Sequence, residues 1–302
     1  GASLSAGSSL DTSSINLSAL ADKLEPSLDL FADVLLNPVF PQKELDRLRK
    51  VYLASLAQEK TQPTSMALRV VPKLLYGAGH AYGQPLTGTG TEATLAALTR
   101  EDLARFHADW FRPNHATVIV VGPVTVASLT PQLERLLRNW QPGEIPAKAI
   151  ATVAPRPSRT LYLLDRPGAD QSVIFAGQLI PSRATPDDLA IATMNDVLGG
   201  KFTARLNMNL REAKHWSYGA YSFSYDARGQ RPLLAYAPVQ SDKTAEAVTE
   251  IRNEFASIVG KRPATPDEVA LVKRTNTLSL PGQWETGGAV VSSISEIVEF
   301  GL

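Results

Sequence analysis

The feature that most limits what this chain can become is an internal repeat of domain size. Gly1-Ala2-Ser3-Leu4-Ser5 resembles Gly219-Ala220-Tyr221-Ser222-Phe223, and each opens a stretch that reads as a β-hairpin. An Asp-Lys pair follows each hairpin (Asp22-Lys23 and Asp242-Lys243), and an amphipathic helix follows each pair. A proline-containing turn then leads to a second helix, where Glu44-Leu45-Asp46-Arg47 stands beside Glu268-Val269-Ala270-Leu271. The spacing is about 220 residues throughout, the size of a domain rather than of a solenoid repeat. Identity between the copies is low, so the repeat has weight only beside other signals. It points to two related α+β domains in series, each burying the face of a sheet under its own helices. The chain would hold the later part of one copy, a linker and the earlier part of the next.

The rest of the pattern fills in this outline. A helix from about Pro26 carries Leu28, Phe31, Ala32, Leu35 and Leu36 on one stripe and ends at Asn37-Pro38. Further helices are expected from Gln42 to about Thr61, from Pro63 to near Gly77, from Thr99 to Phe111 with Thr99 as cap, and from Val126 to Trp140. Ala116 to Val121 reads as a buried strand. Residues 141–159 hold several prolines and few large apolar residues, as a linker does. Strands are then expected at Leu161–Leu164 and Ser172–Gly177, and a helix at about Pro186–Leu198. The next helix should carry Phe202, Leu206 and Leu210 on one face. A hairpin follows from Ser217–Tyr225 and Leu233–Pro238, then helices at about Thr244–Val259 and from Thr265-Pro266.

Composition excludes several kinds of chemistry. Lys plus Arg and Asp plus Glu both number 30, so no net field steers the chain to nucleic acid or anionic lipid. The chain has no cysteine, hence no thiolate nucleophile, disulfide or cysteine-bound zinc. No apolar run approaches the roughly 20 residues of a membrane span, and no signal peptide is visible. The chain opens in what reads as mid-strand and reaches Phe300-Gly301-Leu302 without a closing element, as a fragment or processed product would.

The four histidines, His80, His107, His115 and His215, include no pair at i,i+4 spacing, and neither H-x-x-E-H nor H-E-x-x-H occurs. Such a pair is what sets two imidazoles on one helix face and leaves zinc an open position. There is no G-x-S-x-G, and Gly88-Thr89-Gly90 is neither led into by a strand nor followed by a helix, so it is no nucleotide loop. Glu25, Asp29 and Asp33 stand at i,i+4 steps on one helix and read first as a solvated acidic face.

One family has these pieces in this order. Lys23-Leu24-Glu25-Pro26-Ser27-Leu28-Asp29-Leu30-Phe31-Ala32, followed by Asn37-Pro38-Val39-Phe40, is similar to the helix after the active-site hairpin in the insulinase/pitrilysin family of zinc metallopeptidases (inverzincins). Tyr76-Gly77 to His80-Ala81-Tyr82-Gly83-Gln84-Pro85 fits next, then Leu98-Thr99-Arg100-Glu101-Asp102-Leu103 leading to Phe111-Arg112-Pro113-Asn114. Val120-Val121-Gly122, Gln171-Ser172, and Leu198-Gly199-Gly200 through Leu210-Arg211-Glu212 to Tyr218 complete the series. The resemblance covers nearly the whole chain and implies the duplication that the repeat suggests.

The resemblance implies an α+β metalloprotease fold of two related domains, each a mostly antiparallel sheet with helices packed on one face. Residues 1–145 would be the later part of one domain, 146–159 the linker and 160–302 the earlier part of the next. In that family paired domains enclose a chamber for peptides or unfolded polypeptides. The catalytic copy binds zinc through H-x-x-E-H, whose Glu activates the metal-bound water. That motif belongs upstream of Gly1 or on a partner, so nothing here inherits a catalytic role, and the chain alone is expected to hold no zinc and cleave no peptide. Glu25 occupies the position of the family's third zinc ligand. Ser55-Leu56, where catalytic copies carry Glu-Ile, suggests a silent copy instead. Arg211 and Tyr218 match, in kind and spacing, an Arg and a Tyr that reach the active site from the companion domain. There Arg can hold a carbonyl or carboxylate and Tyr can donate to an oxyanion. The bland alternative is an Arg capping a helix end and a Tyr packed in a hairpin. Two other functions stay open, a structural or partner subunit of the same fold with no peptidase role, and an unrelated α+β peptide-binding module. Family habit favours a bacterial periplasmic setting over a cytoplasmic one.

Overall fold

The computed structural model describes residues 1–302, which divide into two compact units. The first comprises Gly1–Ala57, Thr89–Ala149 and Pro281–Leu302, the second Gln58–Gly88 and Ile150–Leu280.

The first unit opens with a hairpin of β1 (Ala2–Ser8) and β2 (Ser13–Ala19), antiparallel, with Ala2 opposite Ala19 and Ser8 opposite Ser13. Ser9 closes the turn. Its N–H donates to the Thr12 carbonyl at 2.8 Å, and its hydroxyl accepts from the Thr12 N–H at 3.2 Å. The two strands form a sheet by themselves, and every residue of β1 is exposed. Helix α1 (Leu24–Leu36) lies against β2 and buries Leu28, Ala32 and Leu35. Helix α2 (Gln42–Glu59) begins in this unit and buries Leu45 and Leu56.

The second unit begins with the end of α2 and α3 (Pro63–Tyr76), started by Pro63 in its first turn. Two shorter helices of the first unit follow in sequence, α4 (Glu92–Ala97) and α5 (Arg100–Trp110). Thr99 caps α5 as expected: its hydroxyl accepts from the Asp102 N–H at 3.1 Å, and Asp102 accepts from the Thr99 N–H at 2.9 Å. The Thr99 hydroxyl, which also donates to the Asp102 carboxylate at 2.7 Å, and then the Thr99 N–H hold the Asp102 pKa below its ordinary value. Helix α6 (Val126–Leu137) packs against α1.

Two expected strands form no ladder. Ala116–Val121 pairs with nothing, and Val118 and Val120 are nearly half exposed. Leu161–Leu164 is likewise unpaired and largely exposed. An apolar β-branched run becomes a strand only where a neighbour takes up its N–H and C=O groups, and no such neighbour lies beside either run.

The core of the second unit is a three-stranded antiparallel sheet in the order β3 (Gln171–Ile180), β5 (Arg231–Gln240), β4 (Tyr221–Ser224). Gln171 stands opposite Gln240, and Tyr221 opposite Tyr236. Central β5 is buried along most of its length. Its Ala235, Ala237 and Val239 join Ala247 and Ile251 of α9 (Thr244–Ile258) and Leu198, Leu206 and Leu210 in one apolar cluster. Tyr236, at the alternate position, reaches Thr64 of α3 at 3.5 Å. Helix α7 (Asp188–Asn195) runs into a wide helical turn at Asp196–Gly200, and the short α8 (Arg205–Asn207) runs into another at Met208–Ala213. Phe202, expected on the buried stripe with Leu206 and Leu210, lies ahead of α8 and is exposed, because the helix starts only after the extended Ala204. Helix α10 (Pro266–Ser279) starts at a Thr265 cap.

The sequence reading missed α4 and α11 (Gly287–Phe300), the latter returning to the first unit. Helix α11 ends on Gly301 in the left-handed region, with its N–H bonded to the Ile297 carbonyl.

The repeat is visible in the backbone. A single 3₁₀ turn, Ala21–Lys23 and Ser241–Lys243, joins each hairpin to its helix. The residue before each helix has nearly the same dihedrals, φ −113°, ψ 3° at Lys23 and φ −109°, ψ 8° at Lys243. No helix is long and apolar enough to cross a membrane.

Candidate functional site

Arg211 and Tyr218 come together in the second unit, on a turn held by three hydrogen-bonded anchors, two of them buried. The first anchor is Arg205 of α8. Its guanidinium binds both oxygens of Glu268, at 2.7 and 2.6 Å, and donates to the carbonyls of Arg262 and Pro263 at 2.6 and 2.9 Å. This forked pairing raises the Arg205 pKa, and it lowers that of Glu268 to about 2. The second anchor is Asn209, whose amide donates to Glu250 and to buried Glu254, at 2.9 and 2.8 Å. Arg262 also pairs with Glu254. The third is fully buried Asn207. Its Nδ2 donates to the Phe202 carbonyl at 2.7 Å, and its Oδ1 accepts from the Ala220 N–H at 3.2 Å.

The helix is then closed by two crossed bonds. The His215 N–H donates to the Arg211 carbonyl at 3.1 Å and the Trp216 N–H to the Leu210 carbonyl at 3.0 Å. Such a closure requires the left-handed conformation, usually supplied by glycine, and here His215 adopts it at φ 57°. Ser217 fixes the next step, donating to the Pro238 carbonyl at 2.6 Å and accepting from the Gly219 N–H at 3.1 Å. Tyr218 is carried between these anchored points and is 85% exposed. It does not pack in the hairpin, as the bland alternative had it.

The Arg211 guanidinium lies over the Phe202 ring at 4.6 Å and over the Tyr218 ring at 5.4 Å from the centroids, both within cation–π range. Its one ionic neighbour is Glu212, at 3.4 Å. Phe202 was expected in the core, and its place here is decided by the Asn207 anchor, for which the sequence holds no signal.

Glu25 is exposed in the first turn of α1. On the same helix Asp33 accepts from the Asn37 amide at 3.1 Å, and Asp29 lies 4.0 Å from Arg135. The histidines are committed elsewhere. His80 pairs through Nε2 with the Ala151 carbonyl at 2.8 Å and stacks on Tyr76, and His107 pairs through Nε2 with the Leu35 carbonyl at 2.8 Å. His115 borders Trp110, and His215 closes the Arg211 helix. No three His, Cys, Asp or Glu side chains assemble into a metal site. The residues present do not fit a catalytic zinc.

Residues 97–276 match the family model described as peptidase M16 inactive domain, and residues 1–90 match insulinase (peptidase family M16). The chain belongs to peptidase family M16. Within that family it is similar to a Mycobacterium leprae protein named an uncharacterized zinc protease, at 27% identity over 246 residues, 80% of this chain and 54% of the relative. A Bacillus subtilis protein of the same description is 25% identical over 238 residues, 77% of this chain and 55% of the relative. The chain therefore spans about half the length of the curated relatives it matches. The crystal structure of a peptidase M16 inactive domain from Pseudomonas fluorescens superposes with a TM-score of 0.91 at 25% identity, covering 100% of this chain and 71% of that one. The α+β fold expected from the sequence is thus the M16 inactive-domain fold, and the chain is an M16 zinc-protease-like segment carrying the family's inactive domain.

Proposed function

We propose that this chain is the non-catalytic, substrate-holding portion of an M16 zinc metalloendopeptidase. Arg211 and Tyr218 would bind a peptide or unfolded polypeptide, and a catalytic half or partner carrying H-x-x-E-H would supply the zinc. Residues 1–145 and 160–302 would then be parts of two successive insulinase-like domains joined by 146–159. Glu25 would keep the third-ligand position without a metal to bind.

The observation that carries this reading is the guanidinium of Arg211 beside the exposed hydroxyl-bearing ring of Tyr218, on a turn held by buried Arg205 and Asn207 and half-buried Asn209. Rigid mounting keeps the donors aimed and limits the entropy lost on binding. Arg can grip a backbone carbonyl with parallel N–H groups, and Tyr can donate a single bond beside it.

The test is fluorescence anisotropy of a labelled unstructured peptide titrated with the chain. Arg211→Ala should weaken binding about tenfold and Tyr218→Phe about threefold, the ordinary range for one charge-assisted and one neutral hydrogen bond. Unchanged affinity in both variants removes the assigned roles and leaves a structural subunit of the same fold.

A further inference from the structure

We propose that Phe202 is the specificity-determining residue of this site, selecting an extended peptide that places a large apolar side chain next to the carbonyl held by Arg211. The proposal rests on the reading of Arg211 and Tyr218 as a peptide-holding pair and adds the kind of peptide they take.

Three observations carry it. Phe202 is 56% exposed although Leu206 and Leu210, with which it shares helical spacing, are 1% and 0% exposed. A single exposed Phe is unremarkable in itself. This one is fixed from below, because fully buried Asn207 takes the Phe202 carbonyl on one side of its amide and the Ala220 N–H on the other. The same buried amide thus sets both the residue carrying the ring and the start of the strand that follows Tyr218. Finally, the Arg211 guanidinium lies over the Phe202 ring. Ring contacts occupy the flat faces of a guanidinium, whereas its N–H donors point outward in its plane. One N–H edge faces Glu212 at 3.4 Å, and the remaining N–H donors are left for an oxygen acceptor. The uncovered part of the Phe202 ring is apolar surface within one residue's reach of that acceptor, where an aromatic or aliphatic side chain would be covered and a small polar one would gain nothing.

The test uses two fluorescein-labelled unstructured peptides, identical except for Phe or Ser at the central position, titrated into the 302-residue chain and read by anisotropy. The wild type should bind the Phe peptide about fivefold more tightly. Phe202→Ala should bring the two affinities together, while Phe202→Tyr should keep the preference. Arg211→Ala should weaken both peptides alike. A Phe202→Ala chain that keeps the preference, or a wild type that has none, overturns the role of Phe202. The Arg–Tyr reading survives that result if Arg211→Ala still weakens both peptides. If Arg211→Ala alters neither, both fall together. A circular dichroism melt checks folding, and should Phe202→Ala fail it, Phe202→Gln carries the same comparison of affinities.

Discussion

The two units share a plan and differ in how far it is completed. In each, a hairpin passes through one 3₁₀ turn into an amphipathic helix. In the second unit that hairpin has a third strand, β3, and its central strand is buried for most of its length. Both clusters of buried apolar residues belong to this unit. In the first unit the hairpin stands alone, β1 is exposed throughout, and the buried apolar side chains are Leu28, Ala32, Leu35, Leu45, Leu56 and Leu129. A two-stranded ribbon in water is marginal, and a third strand with a covered face is what makes it independently stable. Among the residues present, the same local sequence pattern thus buries different amounts of apolar surface in the two units.

The strongest challenge to that comparison is a pair of core truncations. Leu198→Ala in the second unit should cost about 3–4 kcal/mol, since the side chain is fully enclosed, whereas Leu28→Ala in the first should cost about 2 kcal/mol at a site with less to collapse. Native-state hydrogen exchange reads both, with β5 amides opening only through the largest unfolding event and β1–β2 amides opening locally. Equal protection of the two hairpins would break the comparison.

Acid sharpens it. The folded pKa of Glu268, about 2, lies below its ordinary 4.5, so its stabilisation is complete above about pH 4.5 and is lost as the pH falls toward 2. The carboxylate is a third exposed, so screening reduces the effect to about 2 kcal/mol. Denaturant midpoints of the second unit should fall across that window, and Glu268→Gln should lower the neutral-pH midpoint and flatten the decline. A profile unchanged by the substitution would remove the Arg205–Glu268 pair as the source.

The smallest effect contrasts the two non-glycine residues at positive φ. His215, exposed at φ 57°, should accept glycine with a gain of about 0.5 kcal/mol, the relief of left-handed strain exceeding the added unfolded-state freedom. Phe40, at φ 42° in the first unit, is half-buried with its ring edge-on to His107, so Phe40→Gly should instead lose stability by about 1 kcal/mol. Thermal melts of the two variants moving in the same direction would contradict this account.

Arg211 and Tyr218 were implied by the family resemblance and not by the residues alone, and the structure sets the guanidinium 5.4 Å from the Tyr218 ring centroid. Phe202 was misplaced because its spacing to Leu206 and Leu210 is helical, while the helix that would bury it begins only after Ala204. Nothing in the sequence marks Asn207 as the residue that fixes Phe202. An amide satisfied by two backbone groups far apart along the chain leaves no periodic trace.

By itself the sequence determined most of the helices, the Thr99 cap, the repeat with its Asp-Lys joints, and the lack of a histidine pair at i,i+4 spacing. These follow from neighbouring residues within a turn or two, where spacing and side-chain chemistry suffice. Only the tertiary structure decided that β5 becomes a buried central strand while Ala116–Val121 and Leu161–Leu164 stay unpaired. It alone turned Phe202 outward beside Arg211. A strand's hydrogen bonds lie with another segment, and so does the burial of an apolar ring, so neither can be settled before the chain has brought distant residues together.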